Sequence, residues 1–458
     1  MNIYNIIFFS FLLSLYLSEQ IRLPFTTRFN INDINKDNVM QMLINNDIFT
    51  KILVGSNQQL IEMNIKLQKD STFILSSSCK GNELSKKFDE KQSTTYEILA
   101  QRKRYFMYDF EEATHCQDSI ILLLNDNKQV IINNFNFMLG NTIWYDKEKN
   151  MGGTIGLILS NKDDLPKITD FINQLKSKNI TESFTFMVDY KDNYNGDLYI
   201  GNYFHEFNNN YSYDDFKAFK VGRKNVKVLG WEITFDNIIS DKDIIQKGTF
   251  IEFFYEMGIF AAPEIYHKHI NETFFKKYYG NGICQEKLNK EEITIFSKYE
   301  YIVCEKNGFD IESFPDLIFS HKENNMNFTF SYKDLFYEFE NKYYFLVVFP
   351  IHSLSSTEYW YVGKPFFLKY KLFLDKDKKT IGLYKNYTRK PNEKEIIVVK
   401  HKSNVMYKII IVLLIIVLII ILYYFLVVRR MRKLRANELE DRYSYIPKEK
   451  KENALIET

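Results

Sequence analysis

Residues 51–75 read KILVGSNQQLIEMNIKLQKDSTFIL, and three apolar runs in this stretch are separated by short polar segments. The runs lie at 51–54, 61–67 and 71–75 and are rich in Ile, Leu, Val and Phe. β-Branched and aromatic residues bounded by Gly, Asn and Asp are typical of short strands joined by turns. The stretch therefore predicts three consecutive β-strands.

The same pattern continues along the chain, which favours a mainly β fold. Further strands are predicted at 119–124, 129–135, 183–189 and 197–200. One helix is predicted over 165–178, since Ile168, Phe171, Ile172 and Leu175 recur at helical spacing. Strands with few helices are inconsistent with an alternating βα pattern and its parallel sheet.

Several segments resemble, in the same order, those of the pepsin-like (A1) aspartic peptidases. Residues 55–59 (GSNQQ) resemble that family's Gly-Thr-Pro-x-Gln turn, and residues 73–79 (FILSSSC) resemble its Trp-Val-x-Ser…Cys stretch. Further similar segments, together with the first two covering most of the chain before residue 400, are 88–96, 152–157, 196–201, 231–238, 314–319 and 363–383.

This resemblance implies a bilobal β fold with short helices and a peptide-binding cleft between the lobes. A short N-terminal segment at 19–48 would precede an N-terminal lobe at 49–210 and a C-terminal lobe at 211–400. Tyr108 falls where the family places the tyrosine of its substrate-covering flap.

The positions that the family uses for catalysis do not hold its two aspartates. Two carboxylates that share one proton are needed to activate the attacking water. Counting from residue 55 puts Lys66 at the first position. Counting back from Pro263 puts Phe254 at the second, whereas matching the turn's shape puts Glu256 there, followed by Met257 and Gly258.

These substitutions leave several functions open. We expect a pseudoprotease or receptor that binds an extended peptide or protein; the alternative is an active endopeptidase with a nonstandard catalytic pair. An unrelated β-rich receptor or adhesion ectodomain is a third interpretation. If Glu256 occupies the second position, Lys66 either forms a buried ion pair with it or extends into the open cleft.

Four cysteines, Cys79, Cys116, Cys284 and Cys304, precede the last apolar segment. Four cysteines allow three pairings, and the two close pairs, Cys79–Cys116 and Cys284–Cys304, are the simplest. No C-x-x-C spacing occurs, and His267 with His269 is interpreted as a surface pair, so neither a metal nor another cofactor is expected.

The two ends of the chain predict a single-pass type I membrane protein. Residues 1–18 have the apolar core of a signal peptide. Residues 409–428 form an uninterrupted apolar run, long enough to span a bilayer, followed by the basic sequence RRMRKLR. Basic residues next to a span favour the cytoplasmic side, which makes 429–458 a cytoplasmic tail.

Shorter motifs agree with this topology. N-x-S/T glycosylation sequons lie at Asn179, Asn210, Asn271, Asn327 and Asn386, all before the span. Tyr443 and Ile446 fit a Y-x-x-Φ signal for a cytosolic sorting adaptor. We expect a secretory, endomembrane or cell-surface location with a luminal or extracellular ectodomain. The net charge of +2 gives no reason to expect a nucleic-acid partner.

Overall fold

The structure is a computed structural model of the chain. It describes residues 21–27, 38–67, 69, 71–79, 86–103, 110–124, 128–143, 152–159, 170–206, 211–222, 230–289, 298–351 and 359–385. The predicted signal peptide, membrane span and tail lie outside these ranges, as do Tyr108, Asn210, Asn386, Tyr443 and Ile446. Within them, none of the helices has the length and apolar character needed to cross a bilayer.

Strands make up most of the described chain. In the N-terminal half they are β1 (Ile21–Thr27), β2 (Ile48–Val54), β3 (Gln59–Lys66), β4 (Phe73–Leu75), β5 (Glu97–Lys103), β6 (Phe110–Leu123), β7 (Gln129–Ile143), β8 (Gly153–Gly156), β9 (Thr185–Tyr190), β10 (Asn195–Ile200) and β11 (Phe216–Lys220). In the C-terminal half they are β12 (Glu232–Ser240), β13 (Asp243–Phe253), β14 (Phe260–Ala261), β15 (Cys284–Asn289), β16 (Tyr299–Glu305), β17 (Leu317–His321), β18 (Met326–Phe330), β19 (Phe336–Phe339), β20 (Lys342–Phe345), β21 (Val347–Pro350), β22 (Trp360–Val362), β23 (Phe373–Asp375) and β24 (Thr380–Tyr384).

The α-helices are short and lie between strands. They are α1 (Val39–Ile44), α2 (Phe171–Ser177), α3 (Glu264–Ile270), α4 (Lys276–Tyr279), α5 (Tyr332–Leu335) and α6 (Lys364–Lys369), and a π turn (Asn271–Phe275) joins α3 to α4. Asp170 starts α2 because its side chain accepts a hydrogen bond from the backbone N–H of Asn173. Pro263 precedes α3 and lacks the N–H that a helix start leaves unsatisfied.

The strands form two sheets, one per lobe. The first has the order β11-β24-β23-β9-β10-β1-β2-β3-β8-β4-β7-β6-β5, and a further β2–β6 pairing closes part of it into a barrel. The second has the order β18-β17-β12-β13-β22-β14-β21-β16-β20-β19, with β15 pairing beside β16. The first sheet thus combines strands from both ends of the described chain.

Side-chain burial follows from where each strand lies. β18 alternates buried and exposed residues, as expected of a strand with one face on the core. Every residue of β9 is buried: β10 and β23 pair with its two edges, and its alternate side chains pack into two different apolar clusters. Trp231 belongs to a core of large apolar residues that extends through both lobes. Its ring packs edge-on against Phe186 at 5.5 Å, and its Nε1 donates to the Leu157 carbonyl at 2.9 Å.

The mainly β, two-lobed architecture expected from the sequence is confirmed. Each of the strands predicted in residues 51–75 and 119–200 overlaps an observed strand. The helix predicted over 165–178 is present as α2 in its described part. Membership of the pepsin-like fold itself stays a prediction.

The two predicted disulfides have different outcomes. Cys284 and Cys304 are bonded and join paired positions of β15 and β16. Cys79 and Cys116 are both buried but are not disulfide-bonded, so this predicted pair is wrong for the structure. Cys79 packs with Ala113, whereas Cys116, three residues further along β6, faces the main core on the other side of the strand. The Cys116 thiol instead lies 3.0 Å from the Tyr96 hydroxyl.

Candidate functional site

The two lobes contain the same arrangement of four strand segments, and each arrangement ends in a turn. In the first lobe, β3 runs parallel to β8, while β4 is antiparallel to β8 and parallel to β7. In the second lobe, β13 runs parallel to β22, while β14 is antiparallel to β22 and parallel to β21. The first turn follows β3 and the second turn follows β13, so these turns are structural counterparts.

Strand register identifies the equivalent residues in the two turns. Lys66 pairs with Gly156 in the first lobe. In the second lobe Phe253 pairs with Val362, and the Phe254 N–H donates to the Val362 carbonyl at 2.9 Å, which places Phe254 beside Gly363. Phe254 is therefore the counterpart of Lys66, and Glu256 lies two residues further along its turn.

Gly156 and Gly363 are required by close backbone approach. A Cβ at Gly156 would lie 2.5 Å from the carbonyl oxygen of Lys69 in the first turn. A Cβ at Gly363 would lie 2.2 Å from the carbonyl oxygen of Met257 in the second turn. Both contacts are far shorter than van der Waals distance, so each turn packs directly on a glycine backbone.

A side chain of the second turn contacts the first turn across the lobe interface. The Leu67 N–H donates to Glu256 Oε1 at 2.6 Å. The other carboxyl oxygen, Oε2, is buried and has no hydrogen-bond partner among the described residues. Glu256 thus uses one oxygen to connect the turns, while the second has no partner in the part of the chain that the structure describes.

The environment of Glu256 favours its neutral form. Burial raises the pKa of Glu256 to about 7, and the nearby Asp47 carboxylate contributes to the increase. The Leu67 N–H and the Lys66 charge oppose this shift, because both stabilise the ionised carboxylate. Glu256 therefore stays protonated to a higher pH than an ordinary glutamate.

The segment 38–47 packs against the second turn through backbone hydrogen bonds. The Gly258 N–H donates to the Ile44 carbonyl at 3.0 Å, and the Asn46 N–H donates to the Glu256 carbonyl at 2.9 Å. A Cβ at Gly258 would lie 1.8 Å from the Leu43 carbonyl oxygen. Gly258 therefore allows this segment to approach the turn.

Buried polar side chains extend this contact into the first lobe. Asn46 Nδ2 donates to the Tyr190 hydroxyl at 2.6 Å and to the Tyr255 carbonyl at 2.8 Å. The Tyr190 hydroxyl donates to the same Tyr255 carbonyl at 3.2 Å. Asn64 Nδ2 donates to Asp47 Oδ1 at 3.1 Å. Asn46 and Asp47 thus belong to the site, although the sequence analysis placed them in a short preceding segment.

The only sequence signal for these two residues is the polar triplet Asn45-Asn46-Asp47 between apolar runs. In a chain so rich in Asn, such a triplet does not distinguish a buried polar cluster from an ordinary turn. Neither register counting nor motif comparison could therefore have identified them.

The structure brings Lys66, Phe254 and Glu256 to the same interface but gives them different surroundings. Lys66 is partly exposed at the end of β3. Phe254 is 6% exposed and packs edge-on against Tyr361 at 5.4 Å. Glu256 is connected to Leu67 rather than to a second carboxyl at the counterpart position. The two counterpart positions thus hold an amine and a phenyl ring, which cannot share a proton.

Three of the predicted glycosylation sequons lie in described residues. Asn179 is exposed just after α2, and Asn327 is exposed on β18. Asn271 begins the π turn, and its Oδ1 accepts a hydrogen bond from the Tyr279 hydroxyl at 2.9 Å. Asn179 and Asn327 are therefore more accessible to modification than Asn271.

No protein-family model matches this chain, and no curated protein matches it either.

Proposed function

We propose that the chain is a single-pass membrane protein whose pepsin-like ectodomain binds an extended peptide or protein segment without hydrolysing it. The observation that carries this proposal is the strand register, which makes Lys66 and Phe254 counterparts. Peptide hydrolysis by this class of fold needs a carboxyl at both counterpart positions. A charged amine accepts no proton, and a phenyl ring has no titratable group.

The hydrogen bonds of the turns support a binding role. Glu256 Oε1 accepts the Leu67 N–H, which orders the interface between the lobes. The network of Asn46, Tyr190 and Tyr255 orders the same interface from the other side. An interface ordered in this way suits a cleft that holds an extended peptide by strand addition.

The predicted membrane anchor would connect ligand binding by the ectodomain to the cytosol. A luminal or extracellular ectodomain joined through 409–428 to a tail with Tyr443 and Ile446 would couple ligand capture to sorting. The basic residues that follow the span would also favour anionic lipid at the cytoplasmic surface.

Catalysis and binding are tested on the same preparation of the full chain in detergent. Denatured protein substrate is incubated with it from about pH 3 to pH 7, the range in which carboxyl pairs of this class operate. Binding of a fluorescent library of extended peptides is measured in parallel by polarisation. We expect binding without cleavage; cleavage that a transition-state mimic abolishes would overturn the proposal.

A second candidate function is an endopeptidase that uses Asp47 and Glu256 as a nonstandard pair. It is favoured by the raised pKa of Glu256, to which the Asp47 carboxylate contributes. In that case Asp47→Asn and Glu256→Gln would each abolish cleavage, while Asp89→Asn, at the partly exposed start of a 3-10 turn in the first lobe, would leave it unchanged. The absence of cleavage by the unmodified chain excludes this second function.

A further inference from the structure

A cluster of metal-ligating side chains lies in the second lobe, separate from the turns described above. It consists of His267 on α3, Glu286 on β15 and Glu300 on β16. One ligand atom from each residue lies within 4.8 Å of the others. No sequence motif joins the three residues, because both glutamates are distant from His267 along the chain.

The hairpin of β15 and β16 brings the two carboxylates together. Glu286 pairs with Ile302, and Glu300 pairs with Leu288, so the glutamates are diagonal neighbours on one face of the hairpin. The disulfide between Cys284 and Cys304 joins the same two strands at the end of this ladder. The spacing of the two glutamate backbones is therefore fixed by strand pairing and a covalent link.

The histidine is held in place by aromatic packing. The His267 ring stacks on Phe349 with 3.9 Å between centroids and 17° between planes. Phe349 in turn pairs with Glu300 across β21 and β16. His267 Nε2 contacts Glu286 Oε1, and Nδ1 lies 3.7 Å from Glu300 Oε2. Only 14% of the imidazole side chain is exposed, so its orientation is largely set.

We propose that His267, Glu286 and Glu300 bind one divalent transition-metal ion, of which Zn²⁺ is the best match. An imidazole nitrogen with two carboxylate oxygens is a ligand set that suits Zn²⁺, whereas Mg²⁺ and Ca²⁺ prefer oxygen ligands alone. Two carboxylates and a neutral imidazole carry a charge that a divalent ion neutralises. Water would complete the coordination.

The geometry allows the ion to enter with small side-chain rotations. Ligand atoms that are each about 2.1 Å from a tetrahedral ion lie about 3.4 Å from one another. The observed group is already within 4.8 Å. Glu286 and Glu300 contact different ring nitrogens of His267, so the carboxylate beside the nitrogen that does not bind the ion has to rotate towards it. Both glutamate side chains are 35% exposed, so they have room to do so without disturbing the core.

The test is a zinc titration of the full chain in detergent after removal of metal with a chelator. Competition with a chromophoric chelator measures stoichiometry and affinity, and Co²⁺ in place of Zn²⁺ reports coordination by its visible absorption. We expect one Zn²⁺ per chain, bound in the presence of millimolar Mg²⁺. His267→Gln and Glu300→Gln should each weaken binding by at least about tenfold, because even residues that only hydrogen-bond a metal ligand change affinity by that factor.

His269→Gln is the matched control, since it makes the same substitution two residues further along α3, outside the cluster. It should leave the affinity unchanged, and circular dichroism should show that all three variants are folded. The proposal is overturned if the chain binds no Zn²⁺, or if folded His267→Gln and Glu300→Gln variants bind it as tightly as the unmodified chain. If the chain binds no Zn²⁺, the cluster is a set of contacts between His267 and the two carboxylates, without a metal.

Discussion

The first and second turns are built on the same strand pattern and pack on equivalent glycines, yet their side chains have opposite environments. At the first turn, Lys66 is partly exposed. At the second turn, Phe254 is buried in an apolar cluster, and Glu256 extends to the first turn. Backbone geometry is thus retained on both sides, while the chemistry of the two positions differs.

Placing an acid at each counterpart position should have very unequal effects. Phe254→Asp should lower the free energy of unfolding by about 4 kcal/mol, because it buries an unpaired carboxylate among apolar side chains. Lys66→Asp should cost less than half as much, since position 66 is partly exposed. Urea denaturation at neutral pH measures both. Equal losses would show that the two positions have similar environments and would break the comparison.

Stability should fall as the pH rises through the titration of Glu256. The pKa of Glu256 is raised in the folded state from 4.5 to about 7, so the neutral form is the one that folding favours. The stabilisation from the neutral carboxyl is complete below pH 4.5. It is lost as the pH rises from 4.5 to 7, which lowers the free energy of unfolding by about 3 kcal/mol. Denaturation of the unmodified chain and of Glu256→Gln across this range measures it, and Glu256→Gln should lack this component.

Lys66→Met tests whether the Lys66 charge influences the titration of Glu256. The Lys66 charge lowers the pKa of Glu256, so its removal should raise that pKa further and extend the loss of stability to higher pH. An unchanged pH profile in this variant would show that the two turns are not electrostatically coupled.

The cysteines of the two lobes should differ in chemical state, with a disulfide in the second lobe and two buried thiols in the first. The Cys284–Cys304 disulfide closes a sequence separation of 20 residues, and Cys284→Ser/Cys304→Ser should therefore cost about 3 kcal/mol. Cys79 and Cys116 should react with a thiol reagent only after unfolding, because both are buried thiols. Mass spectrometry after alkylation of the native chain checks this; a Cys79–Cys116 disulfide would contradict the structure.

The glycines under the turns should tolerate no side chain. Gly156→Ala and Gly363→Ala should each cost about 2 kcal/mol, because the new Cβ meets backbone carbonyls that cannot move independently. The contact is shorter at Gly363, so the second turn should lose more. Gly280→Ala is the control, since its Cβ would meet no atom within 4 Å. A larger loss at Gly156 would show that the first turn is the more tightly packed.

Much of the fold could be predicted because strand signals are local. Alternating or continuous runs of Ile, Val and Phe bounded by Asn and Gly identified β2, β3, β4, β6, β7, β9 and β10. The pairing of β1 with β10, and of β23 with β9, could not be predicted in this way. These contacts join residues far apart in sequence, and no periodicity specifies a partner strand.

The candidate site was predictable only in part. Motif comparison identified Lys66, and it left Phe254 and Glu256 as alternatives for the second position because the turn has no aspartate to fix the count. Strand pairing beside Gly363 supplies the missing register. Asn46 and Asp47 reach the site through tertiary packing of 38–47. The Cys79–Cys116 pairing failed because proximity in sequence says nothing about which face of a strand each thiol occupies.

The return of β23 and β24 to the first sheet has a consequence for biosynthesis. β9 is buried along its whole length, and one of its edges is covered only when Phe373–Asp375 pairs with it. As the chain emerges from the ribosome, this edge of β9 stays unpaired until nearly all of the second lobe has been synthesised. Such an edge is a site for aggregation. Premature termination before residue 373 should therefore yield an aggregating fragment rather than a stable half-molecule.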